Sequence, residues 1–213
     1  MRIMAVSDRV LERLYDRGVG QQYPGVELIV GCGDLPYFYL DFLTNALDAP
    51  LAYVRGNHDA EPQYTADGRT LYGVHGGLDL HLCCVLVGDL LLAGLQGSRR
   101  YRPDAPLTYT EAEMAAHCLR LAARVVWKRV ALGRRLDILV THSPPRGVHD
   151  ANDLPHRGFR ALNWLLRLLR PRYLLHGHTH IYRSDFPWRT QVGRTTVINV
   201  YPMRFLRIGA GTD

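Results

Sequence analysis

Five short apolar runs in this chain each stop at, or just before, a side chain able to bind a metal ion. They are residues 2–6 before Asp8, 27–30 before Gly33-Asp34, 51–54 before Gly56-Asn57-His58-Asp59, 137–140 before His142, and 173–175 before Gly177-His178-Thr179-His180. Runs this short and this rich in Ile, Val and Leu read as strands buried on both faces. Helical stretches lie between them. Residues 9–17 read as a helix ended by Gly18. Pro36 suits a helix start and residues 37–47 continue it. Thr110-Glu111-Ala112-Glu113 is a capping box for a long helix to about Leu132, closed by Gly133. Residues 159–169 form an amphipathic helix stopped before Pro171. Strands alternating with helices imply an α/β fold. In open α/β sheets ligands gather beyond the carboxyl ends of the strands, so residues distant in sequence meet at one rim.

The middle of the chain is strand-rich. Gly88-Asp89 is a hairpin turn between strands at 83–87 and 90–93, residues 97–107 read as a loop, and further strands are expected at 195–200 and 205–208. With 213 residues, no repeats and no linker, the chain reads as a single domain over 1–213. Hydrophobic residues at 47% and charged residues at 22% fit a globular chain in water, and no apolar run is long enough to cross a bilayer. The first ten residues lack the features of a signal peptide, so a cytoplasmic enzyme with no membrane contact is the expectation. Cys32, Cys83, Cys84 and Cys118 show no disulfide or zinc spacing and read as buried, reduced thiols.

The net charge of +6 is almost all arginine, Lys128 being the only lysine. Guanidinium groups match phosphate oxygens. Arg99-Arg100-Tyr101-Arg102 and the helical stripe Arg120, Arg124, Lys128 are candidates for nucleic-acid contact, but no nucleic-acid module accompanies them and a solvated surface is favoured.

The ordered series Asp8, Gly33-Asp34, Gly56-Asn57-His58-Asp59, His142 and Gly177-His178-Thr179-His180 resembles the motif series of the calcineurin-like metallophosphoesterases. The resemblance spans roughly residues 3–200. It implies a two-sheet β-sandwich flanked by helices, with a dinuclear metal centre at the rim. It implies that Asp34 bridges two ions, that Asn57, His142 and His178 complete one, and that Asp8 and His180 belong to the other. Mixed nitrogen and oxygen donors suit two divalent or trivalent ions of manganese, iron or zinc better than calcium. Two ions about 3.5–4 Å apart clamp a phosphoryl group and activate water for in-line attack. His58 would contact the phosphate and protonate the leaving oxygen, with Asp59 orienting it. The implied substrate is a phosphomonoester or phosphodiester. The rival class is a non-catalytic member that binds a phosphate ligand or acts as a scaffold.

One block departs from the pattern. The family's first motif has His two residues after the Asp, and this chain has Val10. Tyr37 stands three residues after Asp34, a G-D-x-x-Y spacing similar to the purple acid phosphatases, whose tyrosine ligates iron. Tyr37 is therefore a candidate ligand as well as a candidate core residue. In the loop after His142, Arg146, His149, His156 and Arg157 are candidate substrate contacts, against a rigid loop in which His and Asp pair with each other. His75 and His176 read as structural. Neither the substrate nor the oligomeric state follows from the sequence.

Overall fold

The computed structural model describes residues 1–59, 62–65, 67–182 and 185–209. Among the described residues eleven strands make the two main sheets. In the first, β1 (Arg2–Val6), β2 (Leu28–Cys32), β3 (Leu51–Val54) and β4 (Leu78–Asp79) run parallel, and β11 (Met203–Arg207) pairs antiparallel to β1. In the second, β6 (Leu90–Leu95), β7 (Ile138–Thr141), β8 (Tyr173–His176) and β10 (Thr195–Asn199) are parallel. Antiparallel strands flank them: β5 (Cys84–Val87) beside β6 and β9 (Arg189–Val192) beside β10. The helices are α1 (Val19–Gln22), α2 (Tyr37–Leu47), α3 (Glu111–Leu132) and α4 (Arg160–Leu169).

Period-two alternation explains the layering. Ile3 and Ala5 of β1 face the space between the sheets, whereas Met4 and Val6 face outward under α2. Ile138 and Val140 of β7 face the same inter-sheet core, and Leu139 faces out under α3 and α4. Both faces of the central strands are thus covered, which is why they read as unbroken apolar runs rather than alternating ones. The result is a helix–sheet–sheet–helix sandwich, the fold class expected from the motif series.

Helix α3 begins with the expected capping box: the Thr110 side chain accepts from the Glu113 N–H, and Gly133 closes it in the left-handed conformation. The helix expected over 9–17 does not form. A single 3₁₀ turn, Glu12–Leu14, stands there, and Gly18 caps the start of α1 instead. Asp8 has a left-handed backbone with φ 62° rather than the extended one of an N-cap, and its carboxylate is turned to the His178 backbone N–H. Strand β9 was missed because its residues, Arg-Thr-Gln-Val, carry no apolar run; it is an edge strand held mainly by its ladder to β10. Of the cysteines, Cys83 is only half-buried.

Candidate metal centre

Asp8, Asp34, Asn57, His142, His178 and His180 all lie just past strand ends. The two sheets face each other, so the carboxyl ends of β1, β2, β3, β7 and β8 share one rim. The backbone there is locally unusual: Asp8, Asp34 and His178 have φ of 62°, 56° and 67°, in the left-handed region that non-glycine residues seldom enter. Such strain persists only where the surroundings over-determine it, and it concentrates at functional sites. Two glycines make the close approach feasible. A Cβ on Gly56 would collide with the Asp34 carboxylate, and one on Gly177 with Ser7 and Asp8.

Four donor atoms converge. The fully buried His142 places its Nε2 3.2 Å from Asn57 Oδ1, 3.1 Å from His178 Nδ1 and 3.3 Å from Asp34 Oδ2. Asp34, His142 and His178 offer ligand atoms all within 4.8 Å of one another. Donors ~2.0–2.2 Å from a transition-metal ion are separated by about 3.0–3.5 Å, so these edges are those of a coordination shell. The tautomers are fixed by the outer ring atoms. His142 Nδ1 lies 2.8 Å from the Cys32 carbonyl and His178 Nε2 lies 2.8 Å from the Pro155 carbonyl. A carbonyl only accepts, so each of those nitrogens carries the proton, and Nε2 of His142 and Nδ1 of His178 turn their lone pairs inward. The donor set therefore fits a transition-metal ion.

The electrostatics agree. Burial works against the charges, yet the Asp34 and Asp8 carboxylates push His142 up to about 10, so that a cation, whether a proton or a metal ion, is favoured at its inward Nε2, and Asp34 is held well below the usual carboxylate range by His142 and the His58 N–H. Neighbouring His178 is pulled down to about 4 by burial and by the His142 charge. The cluster calls for positive charge at its centre.

A second group adjoins it. Asp8 accepts from the His178 N–H at 3.0 Å through both oxygens and takes a hydrogen bond from Ser7. Its Oδ1 lies 3.7 Å from His180 Nε2. The His180 ring stacks on Tyr201, centroids 4.4 Å apart, and its Nδ1 lies 2.8 Å from the Tyr182 hydroxyl. Neither tyrosine belongs to a motif; the His-x-Tyr spacing of Tyr182 was a weak signal and Tyr201 gave none. Tyr37, the first residue of α2, is buried in the core between that helix and the first sheet with Met4, Val6 and Leu43, its ring edge toward Tyr53, and Val10 packs against the same cluster.

His58 is exposed, and its N–H donates to Asp34 Oδ1 at 2.8 Å. Among the described residues no hydrogen bond joins Asp59 to the His58 side chain. Asp59 Oδ2 instead accepts from the N–H groups of Asp34, at 2.7 Å, and Gly56, at 2.8 Å, so the carboxylate clamps the two ligand turns together. Burial and the Asp34 charge push Asp59 up to about 6.

Of the candidate loop residues, His156 adjoins the donors, its ring centroid 5.1 Å from that of His178 and its Nδ1 2.5 Å from Asp153. Arg146 is engaged by Asp150 at 2.7 Å, and Arg157 Nη2 donates to the Asn152 carbonyl at 2.9 Å. His149 is buried, with Nδ1 3.0 Å from His176 Nε2 and Nε2 2.8 Å from Thr190 Oγ1, so both nitrogens are committed within the protein.

The sequence model of the calcineurin-like phosphoesterases matches residues 5–182 of the chain. Among solved structures, TT1561 of Thermus thermophilus is similar at 19% identity and a TM-score of 0.63, the match covering 93% of this chain and 88% of that one. Vacuolar protein sorting 29 from Cryptosporidium parvum aligns at 13% identity with a TM-score of 0.43, covering 93% and 72%. No curated protein sequence matches the chain. Among the described residues no helix is long and apolar enough to cross a membrane.

Buried and half-buried histidines outside the donor cluster give the protein a pH dependence of its own. Burial pulls His149 down to about 4, and burial with the charges of His117, Arg55 and Arg124 pulls His81 down to about 4. Both titrate near 6.5 when unfolded, so the stability tied to their neutral forms is complete above roughly pH 6.5 and is lost as pH falls toward 4. Asp59, raised to about 6, opposes with a single proton over the lower part of that range. The urea midpoint should therefore fall on acidification through this window, and His149→Asn, which tolerates the positive φ of 57°, should make the fall shallower. A wild-type midpoint that stays level across the window contradicts this account.

Proposed function

Because the chain belongs to the calcineurin-like phosphoesterase family, we propose that it hydrolyses phosphoesters at the rim where Asp34, Asn57, His142 and His178 converge. The observation that carries this reading is the convergence itself: four donors of the right chemistry, at coordination spacing, with both histidine tautomers fixed from behind. These four would hold one ion. Asp8 and His180, with the bridging Asp34, would hold a second. Manganese, iron or zinc suits the mixed nitrogen and oxygen set. When bound, such ions supply Lewis-acid stabilisation of phosphoryl oxygens and a water nucleophile at neutral pH.

The chain's own residues divide the remaining work. His58 stands exposed beside Asp34, free to meet the substrate and give a proton to the departing oxygen. Asp59 holds the turns of Asp34 and Gly56 in register. His156, whose ring lies against that of His178, would be the loop residue to meet a bound phosphoester. One observation favours a second reading, a phosphate-binding protein without turnover: the second ion position is thin, with Val10 where the family has histidine.

Three experiments test the assignment. Asp34→Ala should strip most metal from both positions, measured as metal per chain; two ions retained per chain would show that Asp34 does not bridge. Asp34→Asn, which tolerates the left-handed backbone, separates loss of charge from loss of fold.

His58→Ala should leave metal content near that of the wild type and slow turnover by about 10²–10⁴-fold, most on esters with poor leaving groups. An equal loss on a phenol ester and an alkyl ester argues against proton donation, and no turnover in the metal-loaded wild type favours the binding-protein reading.

The packing of Tyr37 leads to the third. Tyr37→Phe keeps the ring and removes the oxygen, so it should keep both metals and cost at most about 0.5–1.5 kcal/mol. Val10→His should then tighten the second ion. Loss of the second ion in Tyr37→Phe, with no gain from Val10→His, would return Tyr37 to the ligand set.

A further inference from the structure

The turn after β1 puts three consecutive residues to three uses. Asp8 gives its carboxylate to Ser7 and to the His178 N–H. Val10, standing where the family has a ligand histidine, packs into the core cluster that holds Tyr37. Arg9, between them, is exposed. Its guanidinium is hydrogen-bonded to the Tyr201 hydroxyl, and among the described residues no ion pair joins it to a carboxylate. Tyr201 is a firm anchor. It is buried, its ring stacks on that of His180 with centroids 4.4 Å apart, and its hydroxyl is hydrogen-bonded to Tyr182. The Tyr182 hydroxyl lies 2.8 Å from His180 Nδ1, and His180 Nε2 lies 3.7 Å from Asp8 Oδ1. The contacts that begin at Arg9 thus return to Asp8, its neighbour in the chain, and hold the guanidinium beside the second ion position.

We propose that Arg9 binds the phosphoryl group of the substrate beside the second ion position, supplying positive charge on the side of the rim where a ligand histidine is missing. The inference rests on the rim being a phosphoester site. A free arginine on a surface keeps its guanidinium in water and its rotamers open; this one gives up that freedom to a buried hydroxyl. The guanidinium has five N–H donors in a planar fork, and a single hydroxyl leaves most of them for phosphate oxygens. The charge of a transferring phosphoryl group lies on its peripheral oxygens, so a fixed cation beside a thinly held ion offsets what Val10 does not contribute. Tyr201 is then a positioning residue that acts through Arg9.

Isothermal titration of the manganese-loaded full chain with inorganic phosphate tests this. Arg9→Met keeps the stem and removes the charge. It should weaken phosphate binding about 10- to 100-fold, with manganese per chain and the melting temperature at wild-type values. Arg9→Lys, a point charge without the fork, should recover part of the loss. Tyr201→Phe keeps the stack on His180 and removes the hydroxyl. It should weaken phosphate about three- to tenfold alone and add nothing to Arg9→Met. If Tyr201→Phe unfolds, the two Arg9 variants, at an exposed position, still decide. Phosphate binding indifferent to Arg9→Met, Arg9→Lys no better than Arg9→Met, or manganese lost together with phosphate overturns the proposal. An equal effect of Tyr201→Phe with and without Arg9 overturns the positioning role. Phosphate binding that depends on Arg9, without turnover of any ester, upholds the inference and fails the hydrolysis reading alone. A metal-loaded wild type that binds no phosphate overturns both.

Discussion

Asp34 and His142, 3.3 Å apart, form the contact on which the rim depends. A carboxylate this buried is tolerable only with compensating charge and donors. It has them in the imidazole and in the His58 N–H. His142 is in turn fixed by the Cys32 carbonyl behind it, and Cys32 ends the strand that delivers Asp34. Ligand, partner and supporting backbone thus belong to one closed set, drawn from both sheets. A second pair, Asp8 with the backbone of His178, ties β1 to β8 in the same way.

These ties explain the cost the backbone bears. Three non-glycine residues at left-handed φ each carry strain of order 1–3 kcal/mol, and each takes part in the hydrogen bonds of the rim. The Asp59 carboxylate belongs to the same scheme. Its two backbone N–H partners draw the turn after β2 against the turn after β3, which sets the spacing between Asp34 and Asn57. A residue that motif similarity casts as the partner of His58 acts here on the scaffold of the ligands.

Behind the donors, His176 and His149 extend the network to Thr190 on β9. His176 Nδ1 lies 2.9 Å from the Gly177 carbonyl, so this chain of buried polar groups braces the turn that carries His178. The loop after His142 is held equally firmly by Arg146, Asp150 and Asn163. Loop and edge strand thereby fix the ligand turns from the side away from the strands.

Much of this was determined by the sequence alone. Strands buried on both faces need unbroken apolar runs, so β1, β3 and β7 were legible, and a side chain directly after such a run can only lie at the rim. The capping box fixed the start of α3, and the ordered motifs contain Asp34, Asn57, His142 and His178, the side chains that the fold brings together. Tertiary structure decided the rest. It decided which partners such residues meet: Asp8 accepts from the His178 N–H, Asp59 from the N–H groups of Asp34 and Gly56, and His149 lies against His176. It decided that the polar run 189–192 is a strand, because an edge takes its stability from its neighbour's ladder and not from its own side chains. The physical reason is common to all of these. A hydrogen-bonding group chooses among partners by where the fold puts them, and sequence spacing specifies that position only within a single helix or strand.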